Sequence, residues 1–246
     1  MTPTPIQTQT IQLAQDSITI AAYLTQPSSP GIYPAVVVIQ EIFGVNPHIR
    51  SVADRFAQAG YVAIAPAIYQ RTAPGLELGY TPEALVEGRK HKALTTASQL
   101  LGDIQSAIDY LQSLPNVKPG GVGTIGFCFG GHVAYLAATL PTVKVTASFY
   151  GAGIAVMTPG GGEPTLTRTA QIHGAIDCFF GNDDPLIPVE QVEQIAAALQ
   201  AQAIDHRIFR YDGAGHGFFC DQRADYRPDA AQDSWQQVLQ RFHACL

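Results

Sequence analysis

The chain is poor in several things, and each shortage removes a class of function. No apolar run approaches the ~20 residues a membrane-spanning helix needs, so the membrane is not expected as a partner. Basic residues are few: 14 Lys plus Arg stand against 20 Asp plus Glu, for a net charge of −6. No basic block or interleaved aromatic pattern offsets that balance, which argues against nucleic acid and anionic surfaces as partners. The four cysteines, Cys128, Cys178, Cys220 and Cys245, form no CxxC pair and show no zinc-like spacing. The seven histidines make no HExxH or HxH cluster, so no metal is expected. The opening MTPTPIQTQT lacks the charged start and apolar centre of a secretory signal, and a cytoplasmic location follows as the expectation.

What is present is a chain of 246 residues, 46% apolar, long enough for one large core. Thr10 to Leu24 reads as two short strands about a turn at Gln15-Asp16-Ser17, with alternation in Ile18, Ile20, Ala22 and Leu24. From Tyr33 onward strand and helix signals alternate. YPAVVVIQE is a continuous β-branched run, the mark of a strand buried on both faces. Asn46-Pro47 and Thr81-Pro82-Glu83 are helix starts, and Leu100, Leu101, Ile104, Ile108 and Leu111 share one side of a helix ending near Leu114. GVGTIGF, VTASFYG, AIDCFFG and HRIFRYDG read as strands, and Gly131 to Leu140 as a small-residue helix. VEQVEQIAAALQ and Asp229 to His243 are amphipathic helices. Only 151–172, with its Gly160-Gly161-Gly162 run, breaks the alternation. The expected fold is therefore α/β: a mostly parallel sheet covered by helices on both faces, with a short antiparallel N-terminal part, in one domain spanning 1–246.

One stretch carries chemistry. Gly126-Phe127-Cys128-Phe129-Gly130 follows a strand and precedes a helix, the setting of the G-x-S-x-G nucleophile elbow, with cysteine in the serine position. The turn would lift Cys128 to the C-terminal edge of the sheet and put its sulfur at a helix N-terminus, which favours the thiolate. The alternative is a small buried thiol in a tight turn. A thiol nucleophile needs a base, and the base needs an orienting acid. Downstream, AIDCFFG runs into Gly181-Asn182-Asp183-Asp184, and HRIFRYDG runs into Gly215-His216-Gly217. Both loops leave the same sheet edge as the elbow. His216 is the expected base and Asp184 or Asp183 the acid, the other carboxylate capping the turn. Asp212 is less well placed. His132 falls inside the helix after the elbow and reads as packing or surface.

With these landmarks in hand, the sequence resembles the dienelactone hydrolase family, a cysteine branch of the α/β-hydrolases. The matching segments are Gln40-Glu41-Ile42-Phe43-Gly44-Val45-Asn46, Gly126 to Gly131, Gly181 to Asp184 with Pro188 four residues on, and Gly215 to Phe218. The resemblance assigns the acid to Asp184. It implies that Glu41 contacts the thiol and helps generate the thiolate when substrate arrives, and a carboxylate at the end of an apolar strand needs such a partner on physical grounds. The oxyanion hole would be the backbone N–H groups of Phe129 and Ile42. The implied reaction is cleavage of a small ester or lactone through a covalent thioester, with no cofactor and no metal; a monomer or weak homo-oligomer is the expectation for assembly.

The sequence departs from the family at one telling place. Relatives that act on dienelactone hold its carboxylate with arginines, one of them four residues after the histidine, and here that position is Cys220. Arg223, Arg71 and Arg89 are the candidates to replace it. Two other readings therefore stand beside a dienelactone-type hydrolase. One is a broad small-ester or thioester hydrolase; the other is a ligand-binding or redox-responsive protein that keeps the elbow without turnover.

Overall fold

A computed structural model describes residues 4–15 and 17–246. Its frame is one eight-stranded sheet in the order β1-β2-β4-β3-β5-β6-β7-β8. Strands β1 (Ile6–Gln15) and β2 (Ile18–Pro27) form an antiparallel hairpin, and β2 also pairs antiparallel with β4 (Val62–Pro66). The two hairpin strands are longer than the alternation in Thr10 to Leu24 suggests, because mostly polar residues from Ile6 pair in full register with the second strand. The turn residue Asp16 lies outside the described residues.

The rest of the sheet is parallel: β3 (Tyr33–Ile39), β5 (Val117–Phe127), β6 (Val143–Phe149), β7 (Ala175–Gly181) and β8 (His206–Tyr211). The β3 run behaves as its composition demands. Val36 and Val38 pack with Phe56 and Phe242 on one face, while Ala35, Val37 and Ile39 pack with Ile104 and Ile108 on the other; all five strand residues are fully buried. Across β6, β7 and β8 the rings of Phe149, Phe179 and Phe209 stack in register, with centroids 4.4 and 4.7 Å apart. Each such pair adds about 0.5–1.5 kcal/mol beyond simple burial.

Helices α1 (Pro47–Gln58) and α6 (Pro228–Cys245) meet through Phe56 and Phe242. Asn46 caps α1 by accepting from the Ile49 N–H at 3.2 Å, with Pro47 at the first helical position. The segment after β4 holds two helices, α2 (Pro82–Ala93) and α3 (Ala97–Ser113), divided by Thr95 and the cap residue Thr96. Helix α4 (Phe129–Ala137) begins directly after the elbow, and α5 (Val189–Ala201) follows β7. The Gly-rich 151–172 excursion ends in a 3₁₀ turn, Thr165–Gln171.

Strand order is what positions the site. The chain runs from β3 through α1 to β4 on one side, then returns to build β5 on the other side of β3. This reversal opens a crevice beyond the C-terminal ends of β3 and β5, the place where open α/β sheets bind ligands. Glu41 and Ile42 leave β3 there, and Cys128 leaves β5 there, with Ile39 and Gly126 paired one step below.

Candidate active site

Cys128 sits at the N-cap of α4 with φ 56° and ψ −116°, a left-handed φ that a non-glycine residue adopts only under constraint. The constraint is local packing. A Cβ on Gly126 would stand 1.9 Å from the Gly130 carbonyl oxygen, and one on Gly130 would stand 2.3 Å from that of Gln40. Both glycines are thus required by backbone, not by solvent. The Cys128 N–H donates to the Phe149 carbonyl at 3.0 Å, which ties the turn to the neighbouring strand. Phe129 is the first residue of α4, so its N–H is one of the free first-turn donors of that helix.

The loops after β7 and β8 are pressed together just as closely. A Cβ on Gly181 would lie 2.2 Å from the Ala214 carbonyl oxygen. This approach brings His216 to Asp184, where Nδ1 donates to Oδ2 at 2.7 Å. The other carboxylate oxygen, Oδ1, accepts the Leu186 N–H at 2.8 Å. Asp184 therefore orients the imidazole and caps its own turn, a task the sequence reading gave to Asp183, which is exposed. Nε2 of His216 is buried and meets no full hydrogen-bond geometry among the described residues, while Cys128 is near enough to act on the ring both by charge and by a weak hydrogen bond. Burial opposes a charged imidazole here, but Cys128 and Asp184 outweigh it and push His216 up to about 10. The ring of Tyr150 packs edge-on against His216 at 5.2 Å, and Tyr150 itself has φ 36°.

Cys128 and His216 line one cavity of about 430 Å³, together with Ile42, Phe129, Arg89 and Arg223. A larger cavity of about 530 Å³, lined by His48, Arg55 and Trp235, contains neither Cys128 nor His216. The chemistry-bearing side chains identify the smaller one as the candidate site.

Glu41 is fully buried, and its hydrogen-bond partners are Arg223 and Tyr80 rather than Cys128. Arg223 Nη1 donates to Oε1 at 3.1 Å, and the Tyr80 hydroxyl donates to Oε2 at 2.8 Å. Desolvation by burial, with Glu41 and Cys220 close by, drives the Tyr80 phenol far above its usual range, so it remains a donor. The Arg223 guanidinium stays charged: burial works against it, and Glu41 more than compensates.

The three arginine candidates separate cleanly. Arg223 and Arg89 face the cavity. Arg71 is not among the residues lining it; it pairs with the buried carboxylate of Asp103 at 2.6 Å and borders a small recess with Ile68 and Leu100. A long arginine just after a strand end found a helix α3 acid that sequence spacing gave no means of pairing with it. Cys220 is fully buried, and burial pushes its thiol up to about 12. His132 is buried within α4 and bonded to the Ala152 carbonyl and the Thr165 hydroxyl; burial lowers it to about 4, and its role is packing. Sequence reading missed Tyr80, Tyr150 and Lys92, the last of which also lines the cavity. Tyr150 directly follows β6, and that strand-end position was the available signal.

Comparison with known proteins agrees with this architecture. The family model described as "Dienelactone hydrolase family" matches residues 20–246. A Synechocystis sp. protein named "Putative carboxymethylenebutenolidase" is 56% identical over 241 residues, covering 98% of each chain. The crystal structure of a "Putative Dienelactone Hydrolase" from Klebsiella pneumoniae superposes with a TM-score of 0.88 at 29% identity, over 97% of this chain and 99% of the other. A dienelactone hydrolase from Anabaena variabilis, 18% identical, shares the fold with a TM-score of 0.70, over 98% of this chain and 99% of the other. No helix among the described residues is long and apolar enough to cross a membrane. With an eight-stranded sheet of this order, a cysteine elbow at its switch point and a family match across nearly the whole chain, this protein belongs to the dienelactone hydrolase family of α/β-hydrolases.

Proposed function

We propose that the protein hydrolyses small carboxylic esters or lactones of the dienelactone kind through Cys128, His216 and Asp184. One observation carries this reading: His216 is held by Asp184 at 2.7 Å with its other nitrogen buried, and Cys128, which lines the same cavity, acts on the ring. In the reaction the Cys128 thiolate attacks the substrate carbonyl carbon. The N–H groups of Phe129 and Ile42 receive the oxyanion. Protonated His216 gives its proton to the departing alkoxide, and a thioester to Cys128 remains. For a lactone, the alcohol so formed stays tethered to the acyl group. Neutral His216 then takes a proton from water, the resulting hydroxide attacks the thioester, and the thiolate leaves as the acid product is released.

Glu41 and Arg223 enter as the substrate does. The pair holds the carboxylate away from the sulfur in the free protein, and an anionic substrate drawn to Arg223 and Arg89 competes for the guanidinium. Glu41 is then released toward Cys128, where it accepts the thiol proton and returns it to the sulfur once the acid product has left. The Arg223 and Arg89 side chains at the cavity support an anionic substrate even though Cys220 replaces the family arginine. That replacement is the observation behind the second reading, a broad small-ester or thioester hydrolase that does not act on dienelactone.

The discriminating test follows dienelactone loss and nitrophenol release from nitrophenyl acetate, with wild type and Cys128→Ala. Thiol-dependent loss of the lactone supports the proposal. Thiol-dependent nitrophenol release without lactone loss favours the second reading. Absence of thiol-dependent turnover with either compound, alongside peroxide-sensitive ligand binding, would return the protein to a non-catalytic, redox-responsive role.

A further inference from the structure

Glu41, His48 and Cys220 form a buried cluster that the hydrolase chemistry does not use as a unit. One donor atom from each lies within 4.8 Å of the other two, and among the described residues no other group of three such side chains is arranged this way. The three are remote in sequence, one after β3, one in the first turn of α1 and one after β8, so their meeting is a product of the fold. His48 is wedged against Phe127 and Phe219, with ring centroids 5.7 and 6.2 Å away. Among the described residues its Nε2 is buried without a partner, an arrangement that a ligand at that nitrogen would relieve.

We propose that Glu41, His48 and Cys220 bind a borderline-soft divalent cation of the zinc class. The donor set is a carboxylate oxygen, an imidazole nitrogen and a sulfur, each of which zinc accepts. Bonds of about 2.0–2.3 Å place tetrahedral ligands roughly 3.5 Å apart, so shifts of about 1 Å in these side chains complete the site. On binding, the Cys220 S–H bond breaks, its proton passes to solvent and a metal–sulfur bond forms. Burial favours the neutral ring of His48, with the carboxylates of Glu41 and Asp221 acting one way on it and the guanidiniums of Arg55 and Arg223 the other. The new thiolate, with Asp225 beside Arg223 at 3.7 Å, supplies the negative charge that a dication requires. Entry is through the larger cavity, which His48 and Asp221 line, and not through the cavity of Cys128.

The consequence for turnover rests on the role proposed above for Glu41. A metal that fixes this carboxylate prevents its release toward the thiol, so the cation inhibits without touching Cys128. Binding itself does not depend on that role, and the two are measured separately.

Cobalt(II) is the probe, because a thiolate ligand produces a near-ultraviolet charge-transfer band. Wild type and Cys128→Ala should each take up one equivalent with that band, and Cys220→Ser should lose it. His48→Gln, which circular dichroism should show folded, should weaken binding at least tenfold while keeping nitrophenyl ester turnover within twofold. Zinc should inhibit hydrolysis of an anionic lactone by wild type at least tenfold and leave His48→Gln unaffected. A band that survives Cys220→Ser, or disappears in Cys128→Ala, overturns the site. Inhibition that persists in His48→Gln overturns it equally. Because the optical readout is made in Cys128→Ala, failure of the hydrolase reading would not disturb it.

Discussion

Arg223 reaches back across 182 positions of sequence to pair with Glu41 at 3.1 Å, in a setting where the carboxylate is fully buried. A buried ion pair contributes little net stability over an apolar pair, but removing one member strands the other. Arg223→Ala should therefore destabilise the protein by about 3 kcal/mol in urea unfolding, and Arg223→Ala with Glu41→Gln should recover most of that loss. If the double variant is no more stable than the single one, the pair is not what holds Arg223.

Asp184→Asn should leave the fold intact and lower kcat by about 10³–10⁴, as expected when the orienting carboxylate of an imidazole base is neutralised. The measurement is steady-state hydrolysis of a nitrophenyl ester against a far-ultraviolet spectrum. Retention of more than a tenth of wild-type kcat would remove Asp184 from the proposed role.

His216 gives a pH prediction with a definite sign. Its ordinary value of 6.5 is raised in the folded protein to about 10. A group raised by folding contributes stability that is fully present below the unfolded value and lost as pH climbs through the folded one. The stability advantage of wild type over His216→Gln should thus hold near pH 6 and shrink steadily between about 6.5 and 10. In Cys128→Ala the imidazole resonances should titrate at lower pH, since Cys128 heads the groups that raise it.

The elbow glycines should differ sharply from loop glycines. Gly126→Ala meets backbone at 1.9 Å, and its cost should reach at least about 3 kcal/mol or prevent folding. Gly161 also has a positive φ, 92°, but nothing lies within 4 Å of its missing Cβ, so Gly161→Ala should cost only about 1–2 kcal/mol of backbone strain. Thermal unfolding of the two variants side by side checks the contrast.

Arg89→Ala should raise KM for an anionic lactone several-fold, with little change for neutral nitrophenyl acetate, because a cavity-lining guanidinium recognises the carboxylate alone. Equal effects on both substrates would mean that Arg89 shapes the cavity rather than reading charge.

Local pattern was enough for the architecture because each element declares itself locally. The β-branched run Tyr33–Ile39 could only be a strand buried on both faces, and Gly126 and Gly130 flank a residue that needed a turn. Chain order was enough to nominate Cys128, His216 and the Asp183-Asp184 pair, since parallel strands deliver their C-terminal loops to one edge, and the family resemblance chose Asp184 between the two. What the chain's order could not determine is which long side chain meets which buried charge. Arg71 and Arg223 are alike as residues near strand-end loops, yet one is paired with Asp103 on α3 and the other with Glu41 at the cavity. Likewise, nothing in the spacing of positions 41, 48 and 220 hints at a common center. Those pairings depend on distances across the sheet, and a buried charge settles on whichever partner the packed fold brings within a few ångströms.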